Sequence, residues 1–188
     1  MLPPAAREYS GLNRSAGFSP SDWMVRQIEP LDFQHILEIG FGTGRLLEEV
    51  GNHLRVGFLA GIDDSAQMLQ EASRRNQRLI ENGLMELQTG SIHELAYPKF
   101  YFHTIYGHNV HFLWKEPLFV FLRLAGLLRS GGRLVMLFEP RWATTQPECQ
   151  PQAELIRSQL AEAGLIHIRI SSYLAGEYPL LSATAIKP

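Results

Sequence analysis

The 188-residue sequence contains only one cysteine and has no large excess of charge of either sign. A single cysteine, Cys149, excludes a disulfide framework within the chain, which is typical of proteins in a reducing compartment. The formal net charge of −2 provides no overall basic field for nucleic acid. We therefore expect a cytoplasmic protein that has no nucleic-acid partner.

Long apolar runs are also missing from the sequence. The most apolar segment, residues 113–138, is interrupted by Arg123, Arg129 and Arg133, so it does not form one membrane span. The first ten residues, MLPPAAREYS, lack the apolar region of a secretory signal. We expect no membrane partner, and the length and the 45% hydrophobic content predict a single domain with a sizeable core.

Strand-like and helix-like segments alternate from residue 35 onward. The predicted strands cover residues 35–39, 56–62, 84–89, 100–106, 133–138, 165–170 and 179–186, and the predicted helices cover residues 45–52, 65–81, 113–128 and 152–163. Strands separated by helices indicate an α/β fold, with a parallel sheet that carries helices on both faces. About eight residues join the last two strands, too few for a crossover helix, so we expect these strands to pair antiparallel.

A glycine-rich loop, Gly40-Phe41-Gly42-Thr43-Gly44, follows the first predicted strand, which carries one acid, Glu38. Ligands of doubly wound sheets bind at the carboxyl ends of the strands, near the first one. Glycines allow a sharp turn and let a ligand approach the main chain, while the helix that follows offers free N–H groups. The alternative for this loop is a purely structural turn between a strand and a helix.

The spacing of the loop and the neighbouring acids discriminate between ligands. The G-x-G-x-G spacing is one residue shorter than the G-x-G-x-x-G of dinucleotide folds. Glu38 would repel a pyrophosphate but suits a cationic group, and Asp63, at the end of the second predicted strand, can accept both hydroxyls of a ribose. Together these features favour S-adenosylmethionine, a nucleoside with a sulfonium and an ammonium group. The alternatives are a nicotinamide-dependent dehydrogenase and, for Asp63, a structural role beside the helix cap Ser65.

Four segments resemble the class I S-adenosylmethionine-dependent methyltransferases. They are LEIGFGTGRL (residues 37–46), AGIDDSAQML (60–69), GSIHELAYP (90–98) and LLRSGGRLVMLFEP (127–140). The resemblance implies a Rossmann-like, seven-stranded and mostly parallel sheet with one antiparallel strand, in a three-layer sandwich. It also implies S-adenosyl-L-methionine as cofactor and S-adenosylhomocysteine as product. We expect one domain over residues 1–188, in which residues 1–33 form a helical lid and residues 34–188 form the core.

The resemblance also assigns cofactor-binding roles to residues of the four segments. In this assignment Glu38 lies near the methionine end, the glycines line the methionine and ribose, and Asp63 binds the ribose. Asp64 and Met68 follow the adenine edge, and carbonyls near Gly107 meet the ammonium group. The full set of expected cofactor-binding residues is Glu38, Gly40, Phe41, Gly42, Thr43, Gly44, Asp63, Asp64, Met68, Ser91, Ile92 and Gly107. Ser91, which flanks the adenine with Ile92, stands where many members have an aspartate.

Three polar residues after the fourth predicted strand are candidate catalytic residues, because the transferred methyl group should point there. They are His108, Asn109 and His111. A general base is needed only if the acceptor holds its proton tightly, and a neutral imidazole with a pKa of about 6.5 suits that role. Metal binding at the H-x-x-H pattern would need a third ligand and a fitting geometry, and the pattern is common by chance, so we predict no metal site.

The predicted function is in-line methyl transfer to a small-molecule acceptor with a nitrogen, oxygen or sulfur nucleophile, with catalysis mainly by positioning. The alternative is a non-catalytic S-adenosylmethionine-binding regulatory module. No inserted domain follows the fourth or fifth strand, so we expect either a small acceptor covered by the lid or a site completed by a second copy in a homodimer. The lid residues singled out are Tyr9, Asn13, Arg14 and Trp23.

Overall fold

The computed structural model describes residues 19–145, 147–174 and 178–188, and the chain forms one seven-stranded sheet. The strands are β1 (His35–Ile39), β2 (Phe58–Asp63), β3 (Met85–Thr89), β4 (Phe102–His108), β5 (Leu128–Phe138), β6 (Ile166–Leu174) and β7 (Pro179–Ile186). Their order across the sheet is β3-β2-β1-β4-β5-β7-β6. All neighbours pair parallel except β7, which is antiparallel to both β5 and β6. The predicted fold class and the reversed strand are therefore confirmed.

Helices pack on both faces of the sheet. Those of the described residues are α1 (Pro20–Ile28), α2 (Arg45–Gly51), α3 (Ala66–Arg75), α4 (Gln77–Glu81), α5 (Pro117–Leu127) and α6 (Gln150–Glu162). Successive side chains of a strand point to opposite faces. Thus Ile36 packs with α1 to α4, whereas its neighbour Leu37 packs with α5 and α6. The sheet is buried on both sides, as expected for parallel strands.

The predicted helix over residues 65–81 is wrong in its continuity, because the structure divides it into α3 and α4. Asn76 separates the two helices and is only 2% exposed. Its Nδ2 donates to the carbonyl of Ala72 (2.9 Å) and to the carbonyl of Gly44 (3.0 Å). An asparagine side chain that competes for main-chain carbonyls favours a helix end over a helix interior.

The predicted start of β5 is also wrong. The helix ends at Leu127, one residue before its predicted end, but the strand begins at Leu128 instead of residue 133, because Leu128 already pairs with Phe102 in the sheet. Gly131 adopts a φ of +74° inside the strand, and its N–H donates to the carbonyl of Lys187 at 2.9 Å. The glycines therefore allow an irregularity within a long strand instead of a helix end.

Helix α1 is the described part of the predicted lid segment, and Tyr9, Asn13 and Arg14 lie outside the described residues. It begins at a capping box in which Ser19 accepts from the Asp22 N–H and Asp22 accepts from the Ser19 N–H. Trp23 is 1% exposed and stacks on Tyr173 of β6 with ring centroids 5.9 Å apart. The helix is thus docked firmly against the sheet, and lid closure stays a prediction.

Gly44 joins the glycine loop to α2 at a point where no side chain fits. Its φ is +73°, and a Cβ atom would lie 2.7 Å from both Ala72 Cβ and Asn76 Nδ2. We expect Gly44→Ala to lower the free energy of unfolding by about 2–4 kcal/mol, the sum of backbone strain and overpacking. Urea denaturation measures this loss.

Gly83 provides the matched control for that substitution. Its φ is +70°, and no described atom lies within 4 Å of an added Cβ. Gly83→Ala should therefore cost about 1 kcal/mol, from backbone strain alone. Equal losses in the two variants would contradict close packing at Gly44.

Candidate functional site

The glycine loop lies at the carboxyl end of β1 and turns the chain sharply into α2. Gly40, Gly42 and Gly44 all have positive φ angles, of 66°, 51° and 73°. No described atom lies within 4 Å of a Cβ built on Gly42, so the main chain there borders open space. A ligand can therefore approach the loop backbone closely, as the sequence predicts.

Asp63 ends β2 and holds the glycine loop in place. Its Oδ2 accepts from the Gly42 N–H at 2.8 Å, and its Oδ1 accepts from the Ser65 N–H at 3.0 Å. Each carboxylate oxygen has a further lone pair, so two hydrogen bonds leave acceptor capacity for a ligand. The structural and the ligand-binding interpretation of Asp63 are thus compatible.

Glu38 is a buried acid behind the loop, with only 2% of its surface exposed. Its Oε2 accepts a hydrogen bond of 2.7 Å from the hydroxyl of Tyr106, the residue opposite it on β4. Burial raises the pKa of Glu38 well above its usual 4.5, and the nearby Asp63 charge raises it further, although the Tyr106 bond opposes the shift. A cationic ligand beside this group would favour its ionised form.

Two adjacent cavities open on either side of the loop. The larger cavity, of about 870 Å³, lies over the ends of β1, β2 and β4. Of the predicted site residues it is lined by Gly40, Gly42, Asp63, Asp64, Met68, Ser91, Ile92, His108 and Asn109. Its dimensions are within the range of small-molecule and cofactor sites.

The smaller cavity, of about 450 Å³, lies on the other side of the loop, against α1 and α2. Of the predicted site residues it is lined by Glu38, Gly40, Phe41, Gly42, Thr43 and His108. Gly40, Gly42 and His108 line both cavities, so the loop and the end of β4 form the wall between them. A group bound in one cavity is therefore close to a group bound in the other.

The imidazole of His108 is the polar side chain at this wall. Its Nε2 is shielded from solvent and has no hydrogen-bond partner among the described residues. Burial lowers the pKa of His108, although the nearby Glu139 opposes the shift. A neutral imidazole at this position can accept a proton near pH 7.

Asn109 follows β4 and has a φ of +56°, a strained value for a residue other than glycine. Its Oδ1 accepts from the main-chain N–H of Glu139 at 2.8 Å. This bond ties the end of β4 to the end of β5, so Asn109 positions its neighbours.

Glu139 is a site residue that the sequence analysis missed. It follows β5 directly and lines the smaller cavity, where its Oε1 lies 4.0 Å from His108 Nε2. The sequence does indicate Glu139, because this acid follows a central strand directly and so lies at the carboxyl edge of the sheet, where ligands bind. Its nearness to β4 follows from the strand order, which the residue pattern alone does not provide.

Three predicted residues do not belong to the lining of either cavity: Gly44, Gly107 and His111. Gly44 packs between helices, and Gly107 lies inside the sheet between Ile39 and Met136. Ser91 lines the larger cavity, but its hydroxyl accepts from the His93 N–H and so caps a short helix. The structure therefore brings together the residues of β1, β2 and the end of β4, and separates His111 from them.

His111 is buried at 4% exposure in an aromatic environment. Its ring centroid lies 3.7 Å from that of Phe112 and 5.0 Å from that of Phe138. Its Nε2 is 3.2 Å from Gln152 Nε2, and its Nδ1 has no partner among the described residues. Burial lowers the pKa of His111 to about 4, which indicates a neutral core residue.

The depressed pKa of His111 predicts acid sensitivity. Below its ordinary pKa of 6.5, the unfolded state binds a proton that the folded state binds only near pH 4. Stability is therefore lost as the pH falls, by about 2 kcal/mol between pH 8 and pH 5 from this group. Urea denaturation at both pH values should reveal a smaller loss in His111→Gln than in the wild type. The same loss in His111→Gln and in the exposed-site control His53→Gln would contradict this interpretation.

The polar groups around the glycine loop fit the predicted cofactor. Gly42 leaves the loop backbone accessible, Asp63 has free acceptor lone pairs that a ribose could use, and Glu38 provides a buried acid that suits a cation. Within the described residues, no group of three His, Cys, Asp or Glu side chains is placed to hold a metal ion. None of the described helices is long and apolar enough to cross a membrane.

Comparisons with known proteins find a matching family model, a relative and solved structures of similar fold. A family model for a methyltransferase domain matches residues 36–132. A Bacillus subtilis (strain 168) protein, the uncharacterized methyltransferase YdaC, is 27% identical over 128 residues, which cover 68% of each chain.

Solved structures show the same fold at lower sequence identity. A SAM-dependent methyltransferase from Aquifex aeolicus superposes with a TM-score of 0.72 at 18% identity, over 91% of each chain. The N-methyltransferase NodS from Bradyrhizobium japonicum WM9, in complex with S-adenosyl-L-homocysteine, gives a TM-score of 0.69 at 18% identity. That match covers 90% of this chain and 89% of NodS. At such identities the likeness establishes the fold alone.

Proposed function

Because this chain belongs to the class I S-adenosylmethionine-dependent methyltransferases, we propose that it methylates a small molecule bound in the smaller cavity. S-adenosylmethionine is its cofactor, and when bound it supplies a methyl group already activated on a sulfonium. The observation that carries the proposal is the shared wall between the two cavities. A donor in the larger cavity and an acceptor in the smaller one would meet at His108 and Gly40.

The larger cavity is the proposed site of the nucleoside. Asp63 binds the ribose hydroxyls, and its bond to the Gly42 N–H keeps the carboxylate in position. Met68 and Ile92 provide apolar surface for the adenine ring, and Asp64 lies at its edge. Glu38 meets the ammonium group from the side of the smaller cavity. In this assignment Gly44 and Gly107 support the site without touching the ligand.

Catalysis in this proposal is mainly positioning, because the leaving group is a neutral thioether that needs no protonation. His108 removes a proton where the acceptor has one to lose. Asn109 holds the end of β4 against the end of β5 through the Glu139 N–H, so that His108 stays at the wall. His111 has no part in this mechanism.

The size of the smaller cavity supports a small acceptor. A volume of about 450 Å³ suits a small molecule better than a nucleic acid or protein surface. Residues of α1, α2, β1 and β4 and Glu139, which follows β5, already line it, so the proposal requires no second copy of the chain. The homodimer stays a prediction that sedimentation analysis can test.

Transfer of a labelled methyl group tests the proposed function. The protein is incubated with methyl-labelled S-adenosylmethionine and with low-molecular-mass thiols, amines, phenols and carboxylates, and separately with nucleic acid and protein. We expect label in a small molecule. Tight binding of S-adenosylhomocysteine by calorimetry, with no transfer to any class, would favour the non-catalytic module. Label only in a macromolecule would contradict the small-molecule acceptor.

A further inference from the structure

Glu139 presents a fixed carboxylate to the smaller cavity. Its main-chain N–H is held by Asn109 Oδ1 at 2.8 Å, which fixes the backbone at the end of β5. Its side chain is 29% exposed and lines the cavity close to His108. The carboxylate is therefore accessible to a ligand, while its backbone is held in place.

The charge inside the smaller cavity is unbalanced. Apart from the buried Glu38, whose carboxyl group has a raised pKa and is assigned to the cofactor, two acids line it, Glu49 and Glu139, against one guanidinium, that of Arg45. Arg45 pairs with Glu49, with Nε 3.4 Å from Oε1. Glu139 is therefore the acid that the cavity's own guanidinium does not pair with. The cavity thus favours cationic ligands over anionic ones.

The neighbours of Glu139 do not neutralise it fully. Arg141 Nε lies 3.8 Å from Glu139 Oε2, but the Arg141 side chain is 77% exposed, and solvent screens such a pair. His108 is the other neighbour, and burial lowers its pKa, so that it is uncharged near pH 7. Glu139 therefore retains capacity for a cationic partner on its cavity side.

Resting on the proposed function, we propose that the methyl acceptor is a basic amine whose ammonium group docks on Glu139 beside His108. The carboxylate of Glu139 binds the cation, and the imidazole of His108 takes its proton. An anionic acceptor, such as a carboxylate or a phosphate, would be repelled by Glu139. An alcohol or thiol of the same shape would gain nothing from the charge of Glu139.

The proton and electron balance of the step is simple. His108 accepts one proton from the ammonium, which leaves a neutral nitrogen with a free lone pair. That nitrogen forms a bond to the methyl carbon while the bond between carbon and sulfur breaks and its electron pair returns to sulfur. The product is a methylated ammonium, and the proton on His108 passes to solvent.

The test uses acceptors that share one skeleton and differ in one group: benzylamine, benzyl alcohol, benzyl mercaptan and phenylacetate, with the corresponding butyl series. Labelled methyl transfer is measured for the wild type and for Glu139→Gln. We expect the wild type to prefer the amines and Glu139→Gln to lose about 10- to 100-fold in kcat/KM for them. The ratio of amine to alcohol activity is the readout, because an effect of the substitution on His108 or on folding lowers both activities, whereas the loss of the cation site lowers only the activity on amines.

Two control variants keep this test specific. Glu154→Gln removes an exposed carboxylate on α6, paired with Arg157, and should behave as the wild type does. Glu139→Asp keeps the charge and should recover part of the amine preference. Transfer to thiols or alcohols but not to amines, or an unchanged preference in Glu139→Gln, would overturn the amine proposal and leave the methyltransferase function intact. Binding of S-adenosylhomocysteine with no methyl transfer to any benzyl or butyl compound would count against both the amine proposal and the proposed function.

Discussion

Asparagine in place of Asp63 is expected to weaken the binding of S-adenosylhomocysteine by about 100-fold or more. Hydrogen bonds to a charged acceptor are each worth roughly 1.5–3 kcal/mol, and the neutral amide with its single acceptor oxygen weakens both of the proposed bonds to the ribose. The amide nitrogen cannot accept a hydrogen bond, so the bond from either Gly42 or Ser65 is also lost. Both effects weaken binding, because the loop that Asp63 holds borders the proposed ligand site.

Isothermal titration calorimetry measures this change directly. Glu81→Gln is the control, since it removes one carboxylate from the exposed end of α4, where Glu81 accepts from Gln77. Its affinity should equal that of the wild type. Urea denaturation of Asp63→Asn separates a lost contact from a lost fold. Wild-type affinity in a folded Asp63→Asn protein would show that this carboxylate only supports the loop.

Much of the fold was predictable because the sheet is buried on both faces. Each strand is a short apolar run between turn residues, and strand existence follows from that pattern alone. The two wrong boundaries, at Asn76 and at Gly131, depend on partners far away in the sequence: the carbonyls of Gly44 and Lys187. Side-chain and backbone hydrogen bonds across such distances leave no local pattern.

The candidate site could be predicted where its residues stand at fixed positions relative to the strand ends. Glu38, the loop and Asp63 stand at fixed offsets from strand ends; the larger cavity brings the loop and Asp63 near Met68 and Ile92, and Glu38 lines the smaller one. Glu139 was missed because its role depends on β5 lying beside β4 in the sheet. His111 is a candidate from the sequence because it follows His108 by three positions, whereas the short helix that it begins turns its ring into the core.

The second large effect concerns a proton on Glu38. In the free protein, burial and the charge of Asp63 raise the pKa of Glu38 well above 4.5, so the carboxyl group keeps its proton to higher pH than in an unfolded chain. A cationic group placed beside it by ligand binding favours the carboxylate and lowers that pKa. Binding of the cofactor should therefore release close to one proton at pH values between the two pKa values.

The sign of the pH dependence follows from this release. Affinity for S-adenosylhomocysteine should increase as the pH rises from the pKa of Glu38 in the complex to its pKa in the free protein, by up to about tenfold per pH unit, and should level off above the latter. For folding the shift acts in the opposite direction: stability decreases as the pH rises from the ordinary 4.5 of the unfolded chain through the raised pKa of the folded protein, because the folded state holds the proton more tightly. Glu38→Gln should abolish this contribution to the pH dependence of affinity and to that of stability.

Tyr106→Phe provides the sharpest version of this test. The Tyr106 hydroxyl donates to Glu38 Oε2 and opposes the rise of its pKa, so its removal should move the pKa of Glu38 higher still. The affinity of Tyr106→Phe for S-adenosylhomocysteine should therefore level off at a higher pH than that of the wild type. Calorimetry in two buffers of different ionisation enthalpy counts the released protons in all three proteins. Equal proton release by the wild type and Glu38→Gln would mean that another group binds the cation. An unshifted pH dependence of the affinity in Tyr106→Phe would mean that this hydroxyl does not affect the pKa of Glu38.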